Sequence, residues 1–120
     1  MQWRDDQPIY RQLYGRMIDL IMCGQLAAGE GLPSVRQVSA DFKINHLTVA
    51  KAYQALVDEG LVEKRRGVGM YVLEGAREHL LEREREQFIQ SLPALVERAA
   101  ALGIGLDALV QALQKAREEQ

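Results

Sequence analysis

Apolar residues recur along the chain in three helical stretches, then alternate briefly as in strands, then return to a helical period. Ile9, Leu13, Met17, Leu20 and Ile21 share one face of a first helix. Pro8 opens it, where a fixed φ helps and a missing N–H does no harm. Tyr10, Tyr14 and Ile18 widen its apolar arc, and Gly24 ends it as a left-handed cap. Gly29 and Gly31 then turn the chain towards Leu32 and Pro33. Ser34 is a good N-cap for a second helix over 35–42, with Val35, Val38 and Phe42 facing inward. Lys43 and Ile44 form a break. A third helix of about 46–59 follows, with Asn45 placed to cap it. Val49, Ala52, Tyr53, Leu56 and Val57 face its core, which leaves His46, Leu47, Ala50, Lys51 and Gln54 nearer solvent. After Gly60, residues 61–65 and 70–73 read as two strands of a hairpin with Gly67 and Gly69 at its tip.

Gly75 marks a boundary, which divides the chain into residues 1–74 and residues 75–120. Beyond it Leu80, Leu81, Phe88, Leu92, Leu95, Val96, Ala99 and Leu102 form an amphipathic stripe. The charges of Glu82–Gln87 pair at i,i+3, as on a solvated helix face. Pro93 must kink or restart this helix, and Ser91 is placed to cap the restart. Gly103 ends it, and Gly105 and Asp107 begin a last helix carrying Leu106, Leu109, Val110 and Leu113. Two short helices cannot bury this much leucine and valine alone, so the stripe must pack on the first domain, on a second subunit, or on both. The expected dimer surface is Leu81, Phe88, Leu92, Leu95, Val96, Leu102, Leu106, Leu109, Val110 and Leu113.

The order of elements in residues 32–73 is helix, tight break, longer helix and hairpin: a winged helix-turn-helix. Such a motif places its second helix in the DNA major groove. The expected fold is therefore mainly α, a winged helix-turn-helix domain with a small β-hairpin and a helical dimerisation tail. A net charge of −2 argues at first against a nucleic-acid partner. Its distribution reverses that reading. Residues 34–66 carry six Lys/Arg against four acids, whereas residues 75–120 carry six against eight. Arg36, Lys51, Lys64, Arg65 and Arg66 are suited to phosphates. Asn45, His46, Thr48 and Gln54 can reach base edges, although Asn45 can equally serve as a cap. Leu47 can touch a thymine methyl or pack against its neighbours.

Three motifs carry a family resemblance over residues 8–73. P-I-Y-x-Q-L (Pro8–Leu13) leads into G-x-L-x-x-G-E-x-L-P-S-x-R (Gly24–Arg36); T-V-x-K-A-Y-x-x-L (Thr48–Leu56) follows; E-G-L-x-E-x-R-x-G-x-G (Glu59–Gly69) forms the wing. In this order they resemble the GntR family of bacterial transcription regulators. The short tail and the Lys-Ala-Tyr of the third helix resemble its YtrA-type subfamily, which implies dimerisation through the tail, no large effector domain, and operons that often contain transporter genes. The resemblance also implies that Arg36 reaches DNA from the second helix and that Thr48 lies on the recognition helix. The chain departs from the family pattern at Asn45, His46, Ala50 and Met70, so a borrowed operator sequence does not follow. The expected DNA-contacting set is Ser34, Arg36, Asn45, His46, Leu47, Thr48, Lys51, Lys64, Arg65, Arg66, Gly67 and Gly69.

Other chemistry finds little support. His46 and His79 are far apart and Cys23 is the single cysteine, so no metal spacing and no intrachain disulfide arise. Cys23 is expected to be a buried free thiol on the first helix. There is no phosphate-binding loop, nucleophile elbow or dinucleotide fingerprint, so neither catalysis nor a cofactor is expected. No apolar run reaches membrane-spanning length and the N-terminal residues lack a signal-peptide core, which points to a cytoplasmic protein without a membrane partner. The expected function is a homodimeric, sequence-specific repressor on a double-stranded, pseudo-palindromic operator. A winged-helix protein–protein interaction module is the alternative. Whether an effector exists is open, since so short a tail offers little room for a pocket of about 300 Å³ within one subunit.

Overall fold

The computed structural model describes residues 3–120. Three helices come first: α1 (Ile9–Met22), α2 (Val35–Phe42) and α3 (His46–Asp58). A hairpin of β1 (Val62–Arg65) and β2 (Gly69–Val72) follows, and then α4 (Ala76–Gln90), α5 (Leu92–Ala101) and α6 (Leu106–Glu118). The chain divides into one compact unit that ends at Glu82 and a second, Arg83–Gln120.

The first unit has a continuous core. Leu13, Met17, Ile18 and Ile21 of α1 meet Val38 of α2 and Val49, Ala52, Tyr53 and Leu56 of α3. Leu61, Val62 and Val72 join from the hairpin, and Ala76 and Leu80 from the start of α4. Each fully buried leucine is worth roughly 1.5–3 kcal/mol relative to exposure. Ile18 therefore belongs to the core, whereas Ile9, expected inward, is exposed at the rim of a groove beside Leu47 and Lys51. Phe42, also expected inward, is 38% exposed and meets Trp3 in an edge-on ring contact. Ile44 in the break turns inward instead. Lys43 adopts a left-handed conformation (φ 53°) that directs the chain from α2 into α3.

Helix ends explain the sharp corners. Pro8 is the N-cap of α1 rather than its first residue, and its carbonyl accepts from the amides of Arg11 and Gln12. Gly60 (φ 75°) lets α3 close with Gly60 N–H bonded to Val57 O and Leu61 N–H to Leu56 O, which delivers Leu61 into the core. Cys23, expected to be buried, is exposed because it is the C-cap of α1 rather than part of its inward face.

The hairpin pairs Val62 with Val72, Glu63 with Tyr71, Lys64 with Met70 and Arg65 with Gly69. A third segment joins its edge: Gly29 N–H donates to Val72 O, Val72 N–H to Glu30 O, and Leu32 N–H to Met70 O. Gly31, expected only to turn the chain, pairs with Tyr71, and a Cβ there would lie 3.3 Å from Tyr71 Cε1. Glycine at this position thus permits close approach.

Within the second unit the break at Ser91–Pro93 is complete, so with the end of α4 the tail contains three helices rather than two. Ser91 does not cap α5. Its backbone has right-handed helical dihedrals rather than the extended ones of a cap, and its hydroxyl donates back to Phe88 O. Gly103 N–H bonds Ala100 O and Ile104 N–H bonds Ala99 O, which ends α5. Asp107 in the first turn of α6 and Lys115 and Arg117 in its last complement the helix dipole. No helix among the described residues is long and apolar enough to cross a membrane.

Candidate nucleic-acid interface

The presentation of α2 and α3 depends on their caps. Ser34 Oγ accepts from Gln37 N–H at 3.0 Å, and Asn45 Oδ1 accepts from Leu47 N–H at 2.7 Å. The Asn45 carboxamide oxygen is therefore engaged in capping, which leaves its NH2 as the group available to a base or phosphate. Arg36 is exposed at the second position of α2. The start of α2 is anchored from below: the hydroxyl of Tyr53, in the core face of α3, donates to Pro33 O at 2.6 Å. Burial pushes the Tyr53 phenol up to about 12, so it stays a neutral donor at physiological pH.

Two stripes of α3 are accessible, about 90° apart around the helix axis. Leu47, Thr48 and Lys51 line a shallow groove with Pro8, Ile9 and Tyr10 of the first helix. Leu47 is 77% exposed at the second helical position, so packing does not account for it. Thr48 is half-buried and His46 exposed. Lys51 Nζ sits 4.0 Å from the centroid of the Tyr10 ring. The second stripe, Ala50 and Gln54, faces the hairpin across a cleft of about 400 Å³ that Ser34, Lys64, Arg65, Gly67 and Gly69 also line. Gln54 Nε2 bonds Asp58 Oδ1 at 2.9 Å, which partly commits that side chain.

The three basic residues of the wing differ in circumstance. Lys64 shares a hairpin face with Val62 and with cross-strand Met70. Arg65 points to the other face, where its guanidinium stacks 4.1 Å above the Tyr71 ring and its Nε–H bonds Glu63 Oε1 at 3.0 Å. Arg66 is exposed in the turn. The structure thus gathers Ser34, Lys64, Arg65, Gly67 and Gly69 on one cleft and Leu47, Thr48 and Lys51 on a neighbouring groove. Arg36, Asn45, His46 and Arg66 are exposed and line neither. Sequence reasoning missed Tyr10, Tyr53 and Tyr71 as supports of this surface. Only Tyr71 left a signal, since the hairpin register places it one residue pair from Arg65. No group of three or more metal-ligating side chains occurs among the described residues.

An anchored short helix, an exposed longer helix and a basic glycine-tipped hairpin define a winged helix-turn-helix with a DNA-facing side. The sequence model for "Bacterial regulatory proteins, gntR family" matches residues 9–72. The chain is similar to the transcriptional repressor YtrA of Bacillus subtilis, 36% identical over 106 residues that cover 88% of this chain and 82% of that one. A transcriptional regulator of the GntR family from Bacteroides thetaiotaomicron superposes with a TM-score of 0.76 at 26% identity, covering 94% and 99% of the two chains. The DNA-binding domain of AraR in complex with operator ORX1 superposes with a TM-score of 0.53 at 26% identity, covering 55% of this chain and 80% of that one. The chain belongs to the GntR family of bacterial regulatory proteins. It is a DNA-binding transcription regulator rather than an enzyme, and the interaction-module alternative is not favoured.

Proposed function

We propose that the protein is a homodimeric repressor of a pseudo-palindromic operator. Residues 1–74 would grip DNA and residues 75–120 would join the two copies. Arg36, Lys51, Lys64, Arg65 and Arg66 serve the phosphates, with the backbone at Gly67 and Gly69 approaching closely at the wing tip. Ser34, Asn45, His46, Leu47 and Thr48 present the remaining contacts, Leu47 suiting a thymine methyl. Two recognition helices then enter successive major grooves about 34 Å apart, or a multiple of that spacing. The repressor YtrA, similar over most of both chains, supports the sign of regulation. The family resemblance makes a transporter operon the target to examine first.

The observation that carries the dimer is the apolar surface of the second unit. Phe88, Leu102, Leu106 and Leu113 are all more than half exposed in the single chain, and Leu95, Val96 and Val110 are exposed with them. Leu92 and Leu109 of this unit are half-buried, as is Leu81 at the end of the first. Apolar surface of this kind on a helical unit marks an association site. The decisive experiment is an anisotropy titration against DNA from the protein's own upstream region and a scrambled duplex at physiological salt. The expected preference is on the order of 10³ or more. Equal affinities would overturn specific repression, and a monomer mass by light scattering would overturn the dimer.

A further inference from the structure

We propose that Tyr10 is a positioning residue for DNA binding, acting as an aromatic seat that holds the Lys51 ammonium ready for a phosphate. The inference rests on the reading of Lys51 as a DNA contact and adds how that contact is prepared. Lys51 Nζ lies 4.0 Å from the Tyr10 ring centroid, within the range of an attraction to the ring face. The ring is fixed, being in the first turn of α1 and packed against the core. Arg11 approaches the same ring only at 6.0 Å, the outer limit of such contacts. No carboxylate is within salt-bridge distance of Lys51 among the described residues.

That last point separates Lys51 from Arg65. Arg65 also lies on a tyrosine, but Glu63 already takes its Nε–H. A carboxylate seat neutralises the cation and competes with an incoming phosphate. An aromatic seat restrains the side chain and leaves its charge whole, and an ammonium with one side on a ring keeps N–H donors for an oxygen. Lysine has among the largest rotamer entropies of any side chain, so restraining it before binding lowers the cost of the contact.

The test is a double-mutant cycle in the full chain, read by anisotropy on the upstream duplex. Because a phosphate contact carries no sequence information, a scrambled duplex at about 50 mM salt serves as a second probe. Tyr10→Met should weaken binding by about two- to fivefold, while Tyr10→Phe, which keeps the ring, should match the native protein. Lys51→Gln should weaken binding and reduce the slope of log K against log salt by about 0.9. In the Lys51→Gln background Tyr10→Met should have no further effect. A penalty that persists there, or a Tyr10→Phe as weak as Tyr10→Met, assigns Tyr10 a merely structural role and overturns the proposal. Native binding by Tyr10→Met alongside a weakened Lys51→Gln overturns the seat but not the contact. Native binding by Lys51→Gln overturns the contact itself and the seat with it. One readout needs no variant: the Lys51 ε-methylene protons should show an upfield ring-current shift in free protein, and its absence refutes the geometry.

Discussion

The two units of this chain treat their apolar side chains in opposite ways. In the first, Leu13, Val49, Tyr53, Leu56 and Leu61 are essentially inaccessible, and no buried side-chain polar atom lacks a partner among the described residues. In the second, Ala99 is the single buried hydrophobic, while Leu102 and Leu106 are about two-thirds exposed. Helices form equally well in both. Periodicity places helices in both units, but helices this short depend on packing for their stability, and only the first unit gathers enough partners in one place to supply it within one chain. The first unit closes its core and leaves polar and basic groups exposed, which the proposed function assigns to DNA. The second offers apolar groups, as suits a surface completed by another copy.

The largest predicted effect comes from charging the open surface. Leu106→Asp or Leu113→Asp replaces a residue the single chain leaves exposed, so its own unit should keep its fold. Light scattering should show the mass fall to that of one chain. Affinity for a two-half-site operator should drop by about 10²–10⁴ as avidity is lost, with single half-site binding preserved. An unchanged mass would remove these positions from the seam.

The complementary change is made in the closed unit. Leu56→Ala leaves a cavity among α1, α3 and the hairpin and should cost about 2–5 kcal/mol in denaturant unfolding. Leu102→Ala, measured where the protein is monomeric, should cost under about 0.5 kcal/mol. Similar losses at the two sites would dissolve the contrast between the units.

Within the closed unit, Arg36→Ala should cost about 1–3 kcal/mol of operator binding. Its unfolding midpoint should stay the same, since the side chain is exposed. Equal losses in folding and binding would show that Arg36 acts on the fold of α2 rather than on DNA.

What could be read from the sequence was mostly local. Ser34 and Asn45 each bond an amide two or three residues away, so residue type and position suffice to predict them. The core face of α3 follows from its period, and the hairpin from its glycines. The misreadings needed distances across the fold. Gly31 looked like a turn because its partner, Tyr71, lies forty residues further on. Ile9 and Ile18 are both on apolar arcs of α1, and only the packing of α3 and the hairpin decides between them. Cys23 was misplaced because α1 ends one residue before it, at Met22. Ser91 shows two local bonds in competition, where back-bonding to Phe88 O prevailed over capping. The aromatic seats of Lys51 and Arg65 are tertiary contacts, invisible to periodicity.

A smaller effect on operator binding than that of Arg36→Ala probes the joint between core and DNA face. Tyr53→Phe removes the bond to Pro33 O that sets where α2 begins, at a cost of about 1 kcal/mol. It also removes a pH dependence whose sign is determined. The folded protein holds the Tyr53 proton more tightly than the unfolded chain, with a pKa of about 12 against the ordinary 10. That contribution is complete below pH 10 and declines as pH rises from 10 towards 12, because the unfolded chain ionises first. The native protein should therefore exceed Tyr53→Phe in stability at pH 8, with the advantage shrinking above pH 10. A difference that stays constant across that range would mean that burial does not hold the proton. Operator binding should weaken only slightly in Tyr53→Phe, because Ser34 still caps α2 when the anchor beneath it is gone.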